Sequence, residues 1–90
     1  MTESDEIRRK RLLFRSWHRG TREADLLLGS FADRNLVGFT AAELDAYENL
    51  IEENDADLWD WLIGHAPAPA LHDPALIARI RNFRYTARPA

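Results

Sequence analysis

The sequence predicts an all-α fold, a small bundle of about five short helices in one domain. Apolar residues recur at helical steps, no stretch alternates as a half-buried strand would, and helix-starting and helix-ending residues punctuate the chain at short intervals. A chain of 90 residues supports one core but not a deep cavity that encloses a substrate, which argues against a self-contained enzyme. Cysteine is absent, so disulfides, thiolate metal sites and cysteine nucleophiles are excluded and stability must come from packing.

Ser4 is placed to cap a first helix over about Asp5 to His18, with Asp5 and Glu6 in the turn where the helix dipole favours negative charge. On it Ile7, Lys10, Leu13, Phe14 and Trp17 share the face expected to pack, beside a stripe of Arg8, Arg11 and Arg15. Gly20 ends this helix, because a residue just past a helix often needs positive φ. Thr21 caps a second helix reaching about Leu36, whose Ala24, Leu27, Leu28 and Phe31 face the core. Gly29 inside it costs about 1 kcal/mol relative to alanine, which points to close approach of another backbone, and Gly38 is read as the stop.

Thr40-Ala41-Ala42-Glu43 is a capping-box pattern opening a third helix to about Glu53, with Leu44, Tyr47, Leu50 and Ile51 inward and Asp45, Glu48 and Glu52 in a stripe beside them. Asn54-Asp55 breaks it, and a short fourth helix over 56–63 brings Leu58, Trp59, Trp61 and Leu62 before Gly64. Both tryptophans read as core and rim rather than as a flavin-stacking site. His65 to Ala70 is a proline-alanine connection that cannot continue a helix. Asp73-Pro74 then starts a last helix that turns Leu76, Ile77, Ile80 and Phe83 inward. Fraying is expected at 1–4 and 86–90.

The formal net charge of -3 is unevenly spread. Seven of the 12 basic residues lie at or before Arg22, the segment from Glu23 to Asp60 holds 11 acids against Arg34 alone, and the tail is basic again at Arg79, Arg81, Arg84 and Arg88. The overall balance speaks against a dedicated nucleic-acid binder. No apolar run approaches the roughly 20 residues of a membrane span. Arg8 to Arg15 looks like part of a mitochondrial presequence, but Glu3, Asp5 and Glu6 oppose that reading, and a mature cytosolic protein is expected.

His18, His65 and His72 do not pair at ligand spacing, so no metal site is predicted. His18 beside Glu23 lacks a nucleophile, oxyanion donors and a cleft, so no catalytic dyad is predicted either. The basic stripe on the first helix and the acidic stripe on the third either pair across the bundle or are separately solvated, the solvated reading being the simpler. Nucleic-acid binding through the basic stripe is disfavoured, because Phe14 and Trp17 are expected on the buried side rather than interleaved with the arginines. At the corner between the first two helices, Gly20 and Glu23 have structural explanations as helix terminator and dipole partner. Arg19 and Arg22 show no structural need and can present planar donors to a partner.

In register, the run Arg19-Gly20-Thr21-Arg22-Glu23-Ala24-Asp25-Leu26-Leu27-Leu28-Gly29-Ser30-Phe31, then Glu43, Leu44, Tyr47, Leu50 and Ile51, then Asp55-Ala56-Asp57-Leu58-Trp59-Asp60-Trp61-Leu62-Ile63-Gly64, resembles the succinate dehydrogenase assembly factors, the SdhE or YgfY family of bacteria. The likeness runs from the first helix to Ile80, and it departs from the family at Thr21 and Ala24, where relatives more often carry larger apolar residues. It implies a small five-helix protein, not an enzyme, that binds the flavoprotein subunit of succinate dehydrogenase, and in some bacteria of fumarate reductase. Such a protein promotes covalent attachment of FAD to a histidine of that subunit. The resemblance places the family's Arg-Gly-x-x-Glu motif on Arg19, Gly20 and Glu23 and associates it with client contact. Arg22, Asp25, Arg8, Arg11 and Arg15 complete the client-binding surface expected here. No stably bound cofactor, no nucleic acid and a free monomer are expected. Some relatives are described as antitoxins, and a regulatory interaction module of that kind, or a nucleic-acid-associated factor, is the alternative.

Overall fold

The computed structural model describes residues 3–83, so the expected fraying at 86–90 and the basic residues Arg84 and Arg88 lie outside the described residues. Five α-helices follow one another: α1 (Asp5–Ser16), α2 (Arg22–Asn35), α3 (Ala41–Ile51), α4 (Asp55–Leu62) and α5 (Pro74–Asn82), with a 3₁₀ turn at Leu36–Gly38. The all-α prediction holds, and every helix starts on a side-chain cap. Ser4 accepts from the Ile7 N–H, Thr21 from Ala24, Asn54 from Asp57 and Asp73 from Ala75. At α3 the capping box is complete, with Thr40 accepting from the Glu43 N–H and Glu43 accepting from the Thr40 N–H. Gly20 and Gly64 take φ of 117° and 82°, the left-handed region open at little cost only to glycine. Gly64 directly follows the cap of α4, whereas α1 already ends at Ser16, short of the expected His18, and Gly20 serves the turn into α2.

The core gathers Leu28, Phe31 and Ala32 of α2, Leu44, Tyr47, Leu50 and Ile51 of α3, Leu58, Trp61 and Leu62 of α4, and Leu76, Ile77 and Ile80 of α5. Leu12 is the α1 contribution, together with the buried Ser16. Tyr47 is the polar centre of this core. Its hydroxyl lies 2.5 Å from Ser16 Oγ, and Ser16 Oγ donates onward to the Leu12 carbonyl at 2.8 Å. Burial pushes the Tyr47 hydroxyl well above its ordinary titration range, the Ser16 contact opposing it, so the phenol stays a neutral donor.

The packing face expected of α1 is corrected. Ile7 and Phe14 are exposed, as is Lys10, while Leu13 and Trp17 are half-buried. Ser16 turns inward because Tyr47 needs a partner, and Arg9 follows it, donating to the Leu36 carbonyl at 2.8 Å and the Phe39 carbonyl at 2.6 Å. The close approach expected at Gly29 is real but is made by a side chain, since a Cβ there would collide with the Trp17 indole. α2 ends at Asn35, three residues before Gly38, and the 3₁₀ turn carries the chain onward. Trp61 is buried and Trp59 half-buried, as core and rim. Phe83 follows the end of α5 and meets Phe31 edge-on at 5.5 Å.

Gly29→Ala therefore should destabilise the protein by up to about 2 kcal/mol, an overpacking cost of about 1–3 kcal/mol set against a gain in helix propensity of about 1 kcal/mol. Urea denaturation checks this; a stabilised variant would show that the indole moves aside freely.

Candidate functional site

The corner between α1 and α2 is built around Arg19. Its side chain is only 9% exposed and spans to the α3–α4 junction. Nε and Nη2 reach Asp55 Oδ1 at 3.1 and 2.8 Å, Nη2 also donates to the Glu53 carbonyl at 3.0 Å, and Nη1 donates to the carbonyl of Ile51, the last residue of α3. The Ile51 carbonyl is among the acceptors that a helix end leaves without intrahelical donors and carries the negative end of its dipole, and the Glu53 carbonyl lies in the turn that follows. The expectation that Arg19 has no structural need is thus overturned: its guanidinium closes α3 and holds the first residue of α4.

The backbone of the corner is fixed from the other side by Asp25, whose Oδ1 accepts the Arg19 N–H at 2.5 Å. Between the two anchors, Gly20 lies under the Asp55 carboxylate, and a Cβ at Gly20 would stand 2.9 Å from Asp55 Oδ2. A side chain there meets both an unfavourable φ and that carboxylate, so Gly20→Arg cannot leave the corner unchanged. Arg22 and Glu23 are exposed in the first turn of α2 and make no side-chain hydrogen bond or ion pair among the described residues. Arg19 and Asp25 are therefore the supports of the corner, and Gly20, Arg22 and Glu23 its outer surface.

Arg8, Arg11 and Arg15 pair with the acidic stripe of α3. Arg8 reaches Asp45 at 2.5 Å and Glu48 at 3.0 Å, Arg11 reaches Glu48 at 3.0 Å and Glu3 at 2.8 Å, and Arg15 stands 3.8 Å from Glu52. The separately solvated reading is replaced by a ladder that runs along α1 and α3. Hydrogen bonding from Arg11, then from Arg8, holds the Glu48 carboxyl below the usual carboxylate value against the opposing effect of burial. With its donors engaged, the stripe offers less free charge to a phosphate backbone, although Phe14, expected to be buried, is open to solvent.

His72 was not singled out by its sequence context. It is buried against Trp61 and places Nε2 2.7 Å from Glu53 Oε2, so Glu53 joins Arg19 on one side and the start of the last helix on the other. A histidine preceding Asp73-Pro74 carries no periodic signal that it is interior. His18 lies on Phe14 rather than on Glu23, with ring centroids 4.0 Å apart. Among the described residues no group of three histidine or acidic side chains could hold a metal ion, and no helix is long and apolar enough to cross a membrane.

Comparison with known proteins brings this corner into a family. The family described as flavinator of succinate dehydrogenase matches residues 10–84. The chain belongs to that family. The FAD assembly factor SdhE of Acetobacter pasteurianus is 50% identical over 62 residues, 69% of this chain and 57% of the relative. The mitochondrial succinate dehydrogenase assembly factor 2 of Debaryomyces hansenii is 48% identical over 59 residues, 66% of this chain and 42% of the relative. That of Dictyostelium discoideum is 43% identical over 74 residues, 82% of this chain and 52% of the relative. The chain thus spans about half the length of these curated relatives. In this flavinator-family member the matched segment contains the Arg19 anchor, the whole corner and most of the ladder.

Arg19→Ala is expected to cost about 2–3 kcal/mol, since it strands the α3 end carbonyls and the Asp55 charge, the partial exposure of Asp55 keeping the loss below that of a fully buried pair. Chemical denaturation measures it; a loss under about 0.5 kcal/mol, typical of a surface site, would contradict the anchoring role. Glu48 gives a pH dependence of definite sign. Its folded-state value is lowered, so its contribution is complete above the ordinary value of 4.5 and is lost as pH falls below that. Glu48→Gln should flatten the decline in stability between about pH 6 and about pH 3, by about 1 kcal/mol. An unchanged acid slope would contradict the ladder.

Proposed function

We propose that this chain is an assembly factor for the flavoprotein subunit of succinate dehydrogenase, and that it promotes covalent attachment of FAD to a histidine of that client. The observation that carries the reading is the corner itself: Gly20, Arg22 and Glu23 turned outward on a backbone clamped by Arg19 and Asp25. Membership of the flavinator family supplies the client. The flavoprotein subunit of fumarate reductase is a second client of the same kind in this reading.

The chain acts here by binding. Flavin linkage requires a client histidine held against the isoalloxazine ring, and a partner that fixes the client's conformation lowers the entropic part of that barrier without supplying a nucleophile. A rigid docking edge suits such a role, because little conformational freedom remains to be lost when the partners meet. Gly20 lets client backbone come close, Arg22 offers a fork of donors to carboxylate or carbonyl oxygens, and Glu23 accepts from a client donor. FAD belongs to the client, this chain holding no cofactor of its own, and the free factor is a monomer that works in the cytoplasm. A non-catalytic role is supported by the names of the relatives, which describe assembly factors.

Glu23→Ala separates docking from folding better than any change at Gly20, because Glu23 is exposed and joins no contact that holds the corner. Cells carrying this variant should contain the folded factor at normal level but several-fold less covalent flavin in the dehydrogenase subunit, read as flavin fluorescence of the denatured subunit in a gel. Full flavin content in those cells would refute the reading.

A further inference from the structure

Phe14 is 63% exposed, one turn before the corner. A single exposed apolar side chain is ordinary on a small protein, and Val37 and Leu71 are more exposed still. Phe14 differs from them in being built into a fixed surface. Its ring lies against that of His18 with centroids 4.0 Å apart and planes 20° from parallel. His18 is in turn held by the end of α1, Nδ1 standing 2.6 Å from the Phe14 carbonyl oxygen. A carbonyl only accepts, so Nδ1 carries a proton, and in the neutral ring Nε2 is left as an acceptor.

The pair is continuous with the docking corner. His18 borders two neighbouring hollows, one shared with Gly20 and Arg22 and one shared with Phe14, Arg15 and Asp55. Arg15 is held loosely at 3.8 Å from Glu52, and Arg22 has no side-chain partner among the described residues. Each hollow thus has an arginine available beside the rings, although Glu53 and Asp55 also line the hollow of Arg15 and Asp25 that of Arg22. A pre-ordered aromatic anchor flanked by arginines has the composition of the energetic centre of a protein interface.

We propose that the stacked Phe14–His18 pair is a second anchor for the same flavoprotein client, seating in an apolar socket rimmed by carboxylates. This rests on the docking role of the corner and extends it along α1. The occupant is a folded protein surface rather than a nucleic acid, because the neighbouring Arg8 and Arg11 spend their charge on Asp45, Glu48 and Glu3 and leave no continuous basic track.

The test is titration of the full chain with the purified flavoprotein subunit of succinate dehydrogenase produced in cells lacking this factor. Phe14→Ser should raise the Kd about tenfold, as loss of a buried aromatic anchor does, with the thermal midpoint unchanged because the ring is exposed. Phe14→Tyr should bind as the unaltered chain does, His18→Ala should weaken binding by a smaller factor, and Val37→Ser should have no effect. Unchanged affinity of Phe14→Ser beside weakened binding of Glu23→Ala overturns the second anchor and leaves the docking corner standing. Equal losses in Phe14→Ser and Val37→Ser overturn it as well, by removing its specificity. Failure of the unaltered chain to bind overturns both readings.

Discussion

The guanidinium of Arg19 is the contact on which the largest number of other features depends. It enters the gap where α3 has ended and α4 has not yet begun, a place where carbonyl groups lack donors and an aspartate at the next helix start supplies a counter-charge. One planar group satisfies all three needs, which a lysine ammonium could not do with the same geometry. The consequences reach outward. Asp55, held by Arg19, lies over Gly20 and adds to the positive φ that already favours glycine at the corner. Glu53, whose carbonyl Arg19 holds, uses its carboxylate for His72 and so ties the last connection to the same junction.

Arg19 is one instance of a device that recurs. Arg9 donates to the Leu36 and Phe39 carbonyls around the 3₁₀ turn, and Arg81 donates to the Trp61 carbonyl near the end of α4. In each case a side chain from one element donates to carbonyls at or near the end of another. A chain of 90 residues without cysteine has a limited apolar core, and these cross-links join helix ends that such a core cannot hold in register by packing alone. The Arg8–Arg11–Arg15 ladder works at the surface and contributes less per pair, but it fixes which way α1 is rotated against α3.

What the sequence made legible was local. The caps at Ser4, Thr21, Thr40 with Glu43, and Asp73-Pro74 depend on neighbours within a few residues, and so do the positive-φ turns at Gly20 and Gly64; all were readable. The buried face of α3 was readable too, because its apolar residues leave no competing face. α1 was not, since Ile7, Leu13, Phe14 and Trp17 define one apolar face while the true packing is decided by Tyr47 selecting Ser16 and by the acids of α3 selecting the arginines. Both selections are made by residues about 30 or more positions away, beyond any periodicity argument. The partner of Gly29 failed for a similar reason: the missing Cβ announces an approach but not whether backbone or indole makes it.

The same distinction divides the Arg-Gly-x-x-Glu motif, and it bears on how such motifs should be read. As a string, its residues look like equivalent members of a contact surface. In the fold, Arg19 and Arg22 are the same residue type three positions apart with opposite fates, one spent on internal carbonyls and a carboxylate, the other exposed to solvent. What separates them is whether an open helix end lies within reach. A guanidinium will take unsatisfied carbonyls in a partly dry junction in preference to water, because leaving those acceptors bare costs about 1–3 kcal/mol each. In the proposed docking role, substitution of Arg19 therefore acts through loss of the scaffold, whereas substitution of Glu23 acts at the surface. Loss of client flavin in an Arg19 variant is not by itself proof of contact. Only the exposed positions of the motif, Gly20 apart for its backbone role, report on the partner's chemistry.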